Sequence, residues 1–367
     1  MLYFTLFLCF CASIFLTPFV KKLAFKIGAT DKPNQRKVHQ KIMPRLGGLA
    51  IYISFLIGII IIQPSENFHL PLLNPTGAGH LHLAIILGSL IIILTGALDD
   101  VKEISPKVKL FGQILASFVV VVLGDVKVDF INLPFSGGEL NFGMLSIPIT
   151  MVWIIGITNA INLIDGLDGL AAGVSTIALL TISGMAYMMG NPYVMVVALI
   201  AAVSSLGFLV YNFHPAKIFM GDTGALFLGF LISVLSLLGF KNVTFISLII
   251  PVIILGVPIS DTFFAIIRRL VNKQPLSAPD KSHLHHCLLR AGYSHKQTVL
   301  LIYAMSAIFG LAAFIFSQAT IRGSVLILLT ILIIIELFVE KIGLVREDYK
   351  PLLKLLRGLR PINMRDK

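Results

Sequence analysis

Long apolar segments that follow one another almost without interruption constrain this chain more than any other feature of its sequence. A bilayer-spanning helix needs about 20 mostly apolar residues, and such segments run from residue 2 to residue 340. Only 13% of the 367 residues are charged, whereas roughly a quarter are charged in a soluble domain. The sequence therefore predicts an all-α polytopic membrane protein, with one transmembrane domain over residues 1–340 and a basic tail over residues 341–367.

Eleven apolar segments can be marked, and each is predicted to form one transmembrane helix. The first has no basic segment before it and no small-residue cleavage site after it, so we expect a retained helix rather than a signal peptide. The segments cover residues 2–20, 46–63, 81–98, 108–124, 144–161, 169–189, 192–211, 218–239, 243–267, 299–318 and 321–340.

The distribution of lysine and arginine predicts how the helices are oriented. Of these 29 residues, 26 fall on one side, in residues 21–45, 99–109, 212–217, 268–298 and 341–367. Basic loops remain in the cytoplasm, so the amino terminus is predicted outside and the carboxyl terminus inside, as an odd number of helices requires. Membrane topology thus accounts for the net charge of +11, and no nucleic-acid partner is expected.

Aspartates are concentrated at the predicted cytoplasmic ends of the apolar segments. Charged groups near hydrocarbon are costly and tend to be functional. These aspartates are assigned to one side of the membrane by the positions of lysine and arginine alone. Their agreement is independent evidence for one shared site. The five residues are Asp99, Asp100, Asp165, Asp168 and Asp222.

Each acidic motif also has a purely structural interpretation. In GALDDVKEISPKVKL (96–110), the paired acids could be a solvated helix end or a cap. In NAINLIDGLDGLAAG (159–173), small residues are typical of helix packing, although packing does not explain the two acids. In NFHPAKIFMGDTGALFLG (212–229), Asp222 suits a metal ligand on a tight turn or a helix N-cap. In DKSHLHHCLLRAG (280–292), the histidines could bind metal or phosphate, or be solvated.

Taken together, these residue types favour one chemistry. Carboxylates hold Mg²⁺ through a few oxygens and leave positions for substrate phosphates. The metal and nearby lysines neutralise a diphosphate, and a further carboxylate can accept a proton. The chain contains no G-x-x-x-x-G-K-[ST] loop. The sequence therefore predicts metal-dependent phosphoryl transfer at the cytoplasmic face of a membrane.

With RKVHQKIMPRLGGLAI (36–51), these motifs resemble the polyprenyl-phosphate N-acetylhexosamine-1-phosphate transferases, glycosyltransferase family 4, over about residues 31–290. The HLHH sequence of residues 283–286 is similar to the UDP-GlcNAc branch, which initiates wall teichoic acid and common-antigen synthesis. The resemblance implies eleven helices and transfer of GlcNAc-1-phosphate from UDP-GlcNAc to undecaprenyl or another polyprenyl phosphate, releasing UMP. It also implies Mg²⁺ (Mn²⁺ as an alternative), a bacterial cytoplasmic membrane, a site facing the cytoplasm and compatibility with a homodimer.

The resemblance further implies roles for individual residues. Asp99 would be the base or the nucleophile beside Asp100, Asp165 would organise metal or diphosphate, and Asp222 would bind the metal. The uridine would be surrounded by Asn162, Gly166, Asp168, Asn212 and Phe219, the last stacking on uracil. Phosphates or sugar would be contacted by Lys107, Lys109, His283, His285 and His286, with Lys37, His39 and Arg45 as further candidates.

Two positions depart from the family pattern. Ala225 stands where serine usually follows the GD-x-G motif, and Cys287 stands where arginine usually follows HLHH. The second change removes a cation expected near substrate, for which Arg290 could substitute. All the acids are intact, which favours an active enzyme.

The lipid substrate needs a route from the bilayer, and residues 251–275 are a candidate wall for it. Pro251 and Pro258 can kink this segment, Asp261 is a buried acid within it, and Arg268 and Arg269 could meet a lipid phosphate. The alternative is a bent helix whose arginines extend to the interface.

Other functions and reaction variants stay open at the level of sequence. Another UDP-N-acetylhexosamine or UDP-MurNAc-pentapeptide could be the donor. A transporter would place its polar groups near mid-membrane, and a CDP-alcohol phosphotransferase would have an Ala-Arg pair after its first acids. A non-catalytic assembly scaffold would not need five acids on one face.

Overall fold

The structure, a computed structural model, describes residues 1–31, 42–62, 78–132, 138–239, 245–275, 282–342 and 350–358. Its helices are α1 (Leu2–Ile27), α2 (Gly48–Ile62), α3 (Ala78–Lys102), α4 (Pro106–Leu123), α5 (Ser146–Ile164), α6 (Leu170–Met188), α7 (Pro192–Asn212), α8 (Gly221–Gly239), α9 (Phe245–Ile254), α10 (Gly256–Val271), α11 (Leu284–Arg290), α12 (His295–Gln318), α13 (Ile321–Ile342) and α14 (Pro351–Gly358).

Two short antiparallel pairs of strands supplement the helices in the described part of the chain. Strands β1 (Thr30–Asp31) and β2 (Met43–Pro44) pair beside the amino-terminal end of α2. Strands β3 (Phe130–Asn132) and β4 (Glu139–Asn141) pair in the connection between α4 and α5. The all-α prediction is confirmed, with these pairs as small additions in the connections.

Within the described residues, every apolar segment marked in the sequence overlaps a helix. The ninth segment forms two helices, α9 and α10, which meet at Leu255 between Pro251 and Pro258. Eight of the described helices are long and apolar enough to cross a membrane: α1, α3, α4, α5, α6, α7, α8 and α12. The protein is thus a multi-pass membrane protein, while eleven crossings and their orientation stay predictions.

Helix α8 lies at the centre of the bundle. Its side chains are buried without exception from Thr223 to Leu237, and it packs against α2, α3, α5 and α6. Small residues permit this close packing. A Cβ added to Gly48 would meet the backbone of Gly224, and one added to Gly96 would lie 2.6 Å from Thr223 N.

The outer helices present apolar side chains outward. Phe4, Phe7 and Phe15 of α1 are more than half exposed, as are Leu326 and Leu329 of α13. A lipid-facing helix surface has this composition. The bundle is therefore built with a buried central helix and an apolar outer surface.

Candidate active site

Asp100 fixes the beginning of α8 from the end of α3. Its Oδ1 accepts a hydrogen bond from Asp222 N at 3.0 Å, and its Oδ2 accepts one from Thr223 N at 3.0 Å. The Thr223 hydroxyl donates a third at 2.5 Å. These N–H groups belong to the first turn of α8. The N–H groups of a first turn have no carbonyl partners within their own helix. Asp100 is therefore a buried cap that holds Asp222 in place.

Asp99 and Asp222 converge on Lys109. The Lys109 ammonium lies 3.2 Å from Asp99 Oδ2 and forms an ion pair with Asp222 Oδ2. The second oxygen, Asp222 Oδ1, accepts a hydrogen bond from Asn162 Nδ2 at 3.1 Å. The Asp222 side chain interacts with Lys109 of α4 and with Asn162 of α5. It is therefore not the cap of its own helix. The carboxyl-terminal ends of α3 and α5 and the amino-terminal ends of α4 and α8 thus meet around one pair of carboxylates.

Arg45 covers the same cluster from the amino-terminal loop. Its Nε lies 3.2 Å from the Asp100 carbonyl oxygen, and its Nη2 lies 3.3 Å from the Asp99 carbonyl oxygen. Arg45 is held by a parallel bridge to Phe219, whose N–H donates to the Pro44 carbonyl at 2.9 Å. The half-buried Phe219 thereby lies beside the carboxylate cluster.

The connection between α5 and α6 carries Asp165, Gly166 and Asp168. Burial raises the pKa of Asp165 to about 7, and the neighbouring carboxylates of Asp100 and Asp168 raise it further in the same direction. The space beside Gly166 is filled by the imidazole of His285, because a Cβ at position 166 would lie 2.2 Å from His285 Nε2. The connection therefore joins the aspartate cluster to the histidine motif.

The histidines are ordered by a buried acid. His283 Nδ1 lies 2.9 Å from Asp261 Oδ2, and Leu284 N donates to Asp261 Oδ1 at 2.8 Å. The rings of His285 and His286 lie 4.2 Å apart. Burial lowers the pKa of His285 to about 3, so this imidazole is neutral at physiological pH. His283 is itself buried, which excludes the interpretation that it is simply solvated.

Asp168 and Asn212 organise the loop before α8. Asp168 Oδ2 accepts a hydrogen bond from Ala216 N at 3.1 Å and lies 2.8 Å from His214 Nδ1. Asn212 is buried, and its Nδ2 donates to the Ile218 carbonyl at 2.9 Å. Asn212 Oδ1 has no hydrogen-bond partner within the described ranges.

The other sequence candidates differ in burial and in whether the structure describes them. Lys107 is exposed and forms no ion pair with another described residue. Lys37 and His39 lie outside the described residues, as do residues 280 and 281 of the histidine motif. Arg268 and Arg269 are buried on α10, so neither side chain is exposed in the described structure, and their relation to the membrane interface stays a prediction. Arg269 Nε has no hydrogen-bond partner among described groups.

The two departures from the family pattern are both buried. Ala225 is fully enclosed in α8. Cys287 accepts a hydrogen bond from Arg290 Nη2 at 3.1 Å, and burial raises the pKa of its thiol. The guanidinium of Arg290 therefore contacts the Cys287 side chain, and its substitution for the family's arginine stays a prediction.

A divalent cation fits the donor set of this cluster. Asp99 and Asp222 come from different helices and are drawn together around the positive charge of Lys109. Carboxylate oxygens are the ligands that Mg²⁺ prefers, with substrate phosphates completing its shell. The lysine ammonium marks where the two carboxylates hold a positive charge.

Comparisons with known proteins identify related sequences. A family model described as glycosyl transferase family 4 matches residues 82–240. The chain is 49% identical over 347 residues to the "Probable undecaprenyl-phosphate N-acetylglucosaminyl 1-phosphate transferase" of Bacillus subtilis (strain 168), covering 94% of this chain and 93% of the relative. It is 34% identical over 357 residues to the "Decaprenyl-phosphate N-acetylglucosaminephosphotransferase" of Mycolicibacterium smegmatis, covering 90% and 86%.

A more distant relative carries a similar name. The "Undecaprenyl-phosphate alpha-N-acetylglucosaminyl 1-phosphate transferase" of Escherichia coli (strain K12) is 29% identical over 300 residues, which are 79% of this chain and 77% of the relative. Since the first relative is matched over nearly the full length of both chains, this chain belongs to glycosyl transferase family 4.

Proposed function

We propose that this protein transfers GlcNAc-1-phosphate from UDP-GlcNAc to a polyprenyl phosphate and releases UMP. The observation that carries the proposal is the meeting of Asp99 and Asp222 around Lys109 at one end of the bundle. The names of the relatives support the same transferred group and the same class of acceptor. Residues 1–340 would act as one catalytic unit in the bacterial cytoplasmic membrane, with the site facing the cytoplasm.

The reaction exchanges one phosphorus–oxygen bond for another. An oxygen of the lipid phosphate attacks the phosphorus that carries the sugar, and the bond from that phosphorus to the bridging oxygen of UMP breaks. Asp99 would accept the proton of the lipid phosphate, for which a positioned carboxylate is suited. In a two-step scheme, the Asp99 carboxylate would instead attack first and form a phosphoryl-enzyme intermediate.

Asp222, with Asp99 beside it, would hold Mg²⁺. A bound divalent cation supplies neutralisation of the diphosphate and of the charge on departing UMP. Lys109 would stay close to these phosphates as a second positive charge. Asn162 would orient the Asp222 carboxylate, and Asp100 would fix the turn that carries it.

The nucleotide would bind over the connection between α5 and α6. Phe219 would stack on the uracil, next to Gly166 and Asp168, while buried Asn212 would hold the loop that carries Phe219. The neutral imidazole of His285 would donate a hydrogen bond to phosphate or sugar. His283 and His286 would keep this ring in place, and Lys107 would attract the diphosphate from the rim.

The acceptor lipid would approach along α10. A buried guanidinium is costly unless an anion accompanies it, and Arg269 Nε has no hydrogen-bond partner among the groups described. A lipid phosphate would supply that anion. Conversion of both Arg268 and Arg269 to alanine should then raise the KM for lipid phosphate, and an unchanged KM would exclude this route.

Release of UMP from UDP-GlcNAc by the purified protein, with undecaprenyl phosphate and Mg²⁺, tests the proposal. We expect release only with both additions, and a loss of more than about 100-fold in Asp99→Asn and Asp222→Asn. Asp125→Asn is the matched control, since Asp125 is a largely exposed acid in the connection between α4 and α5. Release from a different UDP-sugar would correct the donor, and no release from any donor would favour a scaffold or transporter.

Isotope exchange separates the two schemes for Asp99. A phosphoryl-enzyme intermediate predicts that labelled UMP enters UDP-GlcNAc in the absence of lipid. Direct attack by lipid phosphate predicts no exchange until lipid is added.

A further inference from the structure

Asp168, His214 and His295 form a second group of potential metal ligands. Asp168 lies between α5 and α6, His214 follows α7, and His295 begins α12. His214 Nδ1 lies 2.8 Å from Asp168 Oδ2, and His295 Nε2 lies 4.0 Å from the same oxygen. All three ligand atoms lie within 4.8 Å of one another. Three distant parts of the chain therefore bring two imidazoles and one carboxylate to one point.

The geometry is close to that of a metal centre. Zinc bonds of about 2.0–2.1 Å in a tetrahedron place neighbouring ligand atoms roughly 3.3 Å apart. The observed separations of 2.8 and 4.0 Å lie on either side of this value. The imidazole rings of His214 and His295 are stacked at 4.1 Å with 22° between their planes. Rotation of these side chains out of the stacked arrangement would direct both nitrogens to a common ion.

His295 provides the strongest indication of a missing ligand. Its Nε2 is buried and has no hydrogen-bond partner among described atoms. A buried polar nitrogen without a partner costs free energy. His214, by contrast, is 40% exposed, so an ion can reach the group from solvent. The unsatisfied nitrogen and the accessible second imidazole together make a three-ligand site with an open fourth position, the arrangement of catalytic and exchangeable zinc sites.

We propose that Asp168, His214 and His295 bind one transition-metal ion of the Zn²⁺ class. Two imidazoles and one carboxylate suit zinc and its neighbours, whereas Mg²⁺ selects oxygen ligands. The site shares no residue with the pair Asp99 and Asp222. A protein with both sites would take up Mg²⁺ at one and Zn²⁺ at the other.

A bound ion would fasten three connections to one another. Asp168 Oδ2 accepts from Ala216 N at 3.1 Å, so the loop before α8 is already attached to the α5–α6 connection. An ion would add the start of α12 to this pair. Its effect on the reaction rests on the proposed function: Asp168 would be fixed by the ion, and Zn²⁺ would then raise the KM for UDP-GlcNAc without displacing Mg²⁺.

Metal binding to the full chain in detergent, purified without a histidine tag, tests the site. Samples hold millimolar Mg²⁺ and are titrated with Zn²⁺, and bound zinc is counted by elemental analysis after dialysis. We expect one equivalent in the unmodified protein. His214→Ala and His295→Ala should each weaken binding by more than about 100-fold, since loss of an outer-shell partner alone costs roughly 10–100-fold.

His80→Ala serves as the matched control, because His80 is an exposed histidine on α3. This variant should still bind one equivalent of zinc. Replacement of zinc by Co²⁺ adds a visible spectrum that reports nitrogen and oxygen ligands directly. As His214 is partly exposed, its substitution should leave the fold intact, which the thermal unfolding midpoint verifies. Zinc bound by both histidine variants as tightly as by the unmodified protein, or no zinc bound by the unmodified protein, would overturn the proposal. Neither result bears on UMP release, so the proposed enzymatic function is tested separately.

Discussion

Asp100 Oδ2 lies 2.5 Å from the Thr223 hydroxyl, and this contact attaches the end of α3 to the first turn of α8. The same carboxylate also accepts the N–H groups of Asp222 and Thr223. Adjacent aspartates therefore have different contacts. Asp100 bonds to the turn that carries Asp222, whereas Asp99 turns its carboxylate toward Lys109. We infer that Asp100 positions this turn.

Asparagine at these two positions should separate the roles of Asp99 and Asp100. Asp100→Asn places an amide where two N–H donors and a hydroxyl require acceptors, and a buried unsatisfied group costs about 1–3 kcal/mol. We expect a lower unfolding midpoint together with reduced UMP release. Asp99→Asn should abolish UMP release and leave the midpoint close to that of the unmodified protein. If Asp100→Asn lost activity at an unchanged midpoint, Asp100 would act on substrate directly.

Lys109 should make the carboxylate pair tolerant of metal removal. In Lys109→Met, Asp99 and Asp222 lose their positive partner and repel each other. We expect a lower unfolding midpoint in chelator than for the unmodified protein, and a larger rise on addition of Mg²⁺. Lys107→Met is the matched control two residues away, because Lys107 forms no ion pair with a described residue. An equal Mg²⁺-induced rise in all three proteins would contradict a shared cation site.

The sequence predicted the helices and the end of the bundle that carries the acids, for physical reasons. Apolar length sets where helices form in a bilayer, and the cost of charge in hydrocarbon places aspartates at helix ends. The contacts of Asp99, Lys109 and Asp222 agree with the prediction that their loops share one side. The number of crossings and the cytoplasmic orientation stay predictions, as do the roles of the individual residues.

Other features depend on contacts between distant parts of the chain. Asp100 caps a helix that begins more than a hundred residues later, and spacing along the sequence cannot reveal such a cap. Asp261 was noted only as a buried acid, although it bonds to His283 and to the start of α11. His214 stands inside a recognised motif without an assigned role. His295 lies outside every motif, so no sequence signal could have joined it to Asp168.

Gly166 should be intolerant of any side chain. A Cβ at this position would coincide with His285, so Gly166→Ala must displace either the imidazole or the connection that carries Asp165 and Asp168. We expect UMP release to fall by at least about 100-fold, as misplacement by 1 Å is sufficient for that loss. Gly156→Ala on α5 is the matched control, because a Cβ there meets nothing within 4 Å.

A second substitution distinguishes crowding from other causes. Gly166→Ala alone should lower the unfolding midpoint because of this clash. In the double variant with His285→Ala the clash is removed, so the midpoint should return to that of His285→Ala alone. A midpoint that fell further in the pair would show that Gly166 is required for its backbone conformation rather than for the space it leaves.

Ionisation of Asp165 should destabilise the folded protein as pH rises. Its pKa is raised from 3.8 to about 7, so the folded state binds a proton that the unfolded state releases between these values. Linkage then requires the free energy of unfolding to fall as pH rises from about 4 to 7. The difference of about three pH units corresponds to at most about 4 kcal/mol, and the half-buried position of the carboxyl reduces this amount.

Asp165→Asn removes this titration and retains the shape of the side chain. Measured in chelator and without nucleotide, the variant should unfold at a higher temperature than the unmodified protein at pH 8, and at the same temperature near pH 4. His285 titrates in the opposite sense, because its lowered pKa makes the folded state gain stability as pH rises, but it is present in both proteins and cancels in the comparison. A variant less stable than the unmodified protein at pH 8 would mean that the Asp165 carboxylate is satisfied by interactions that outweigh its burial. A stabilised variant without UMP release would identify Asp165 as a charge kept for the reaction at a cost to the fold.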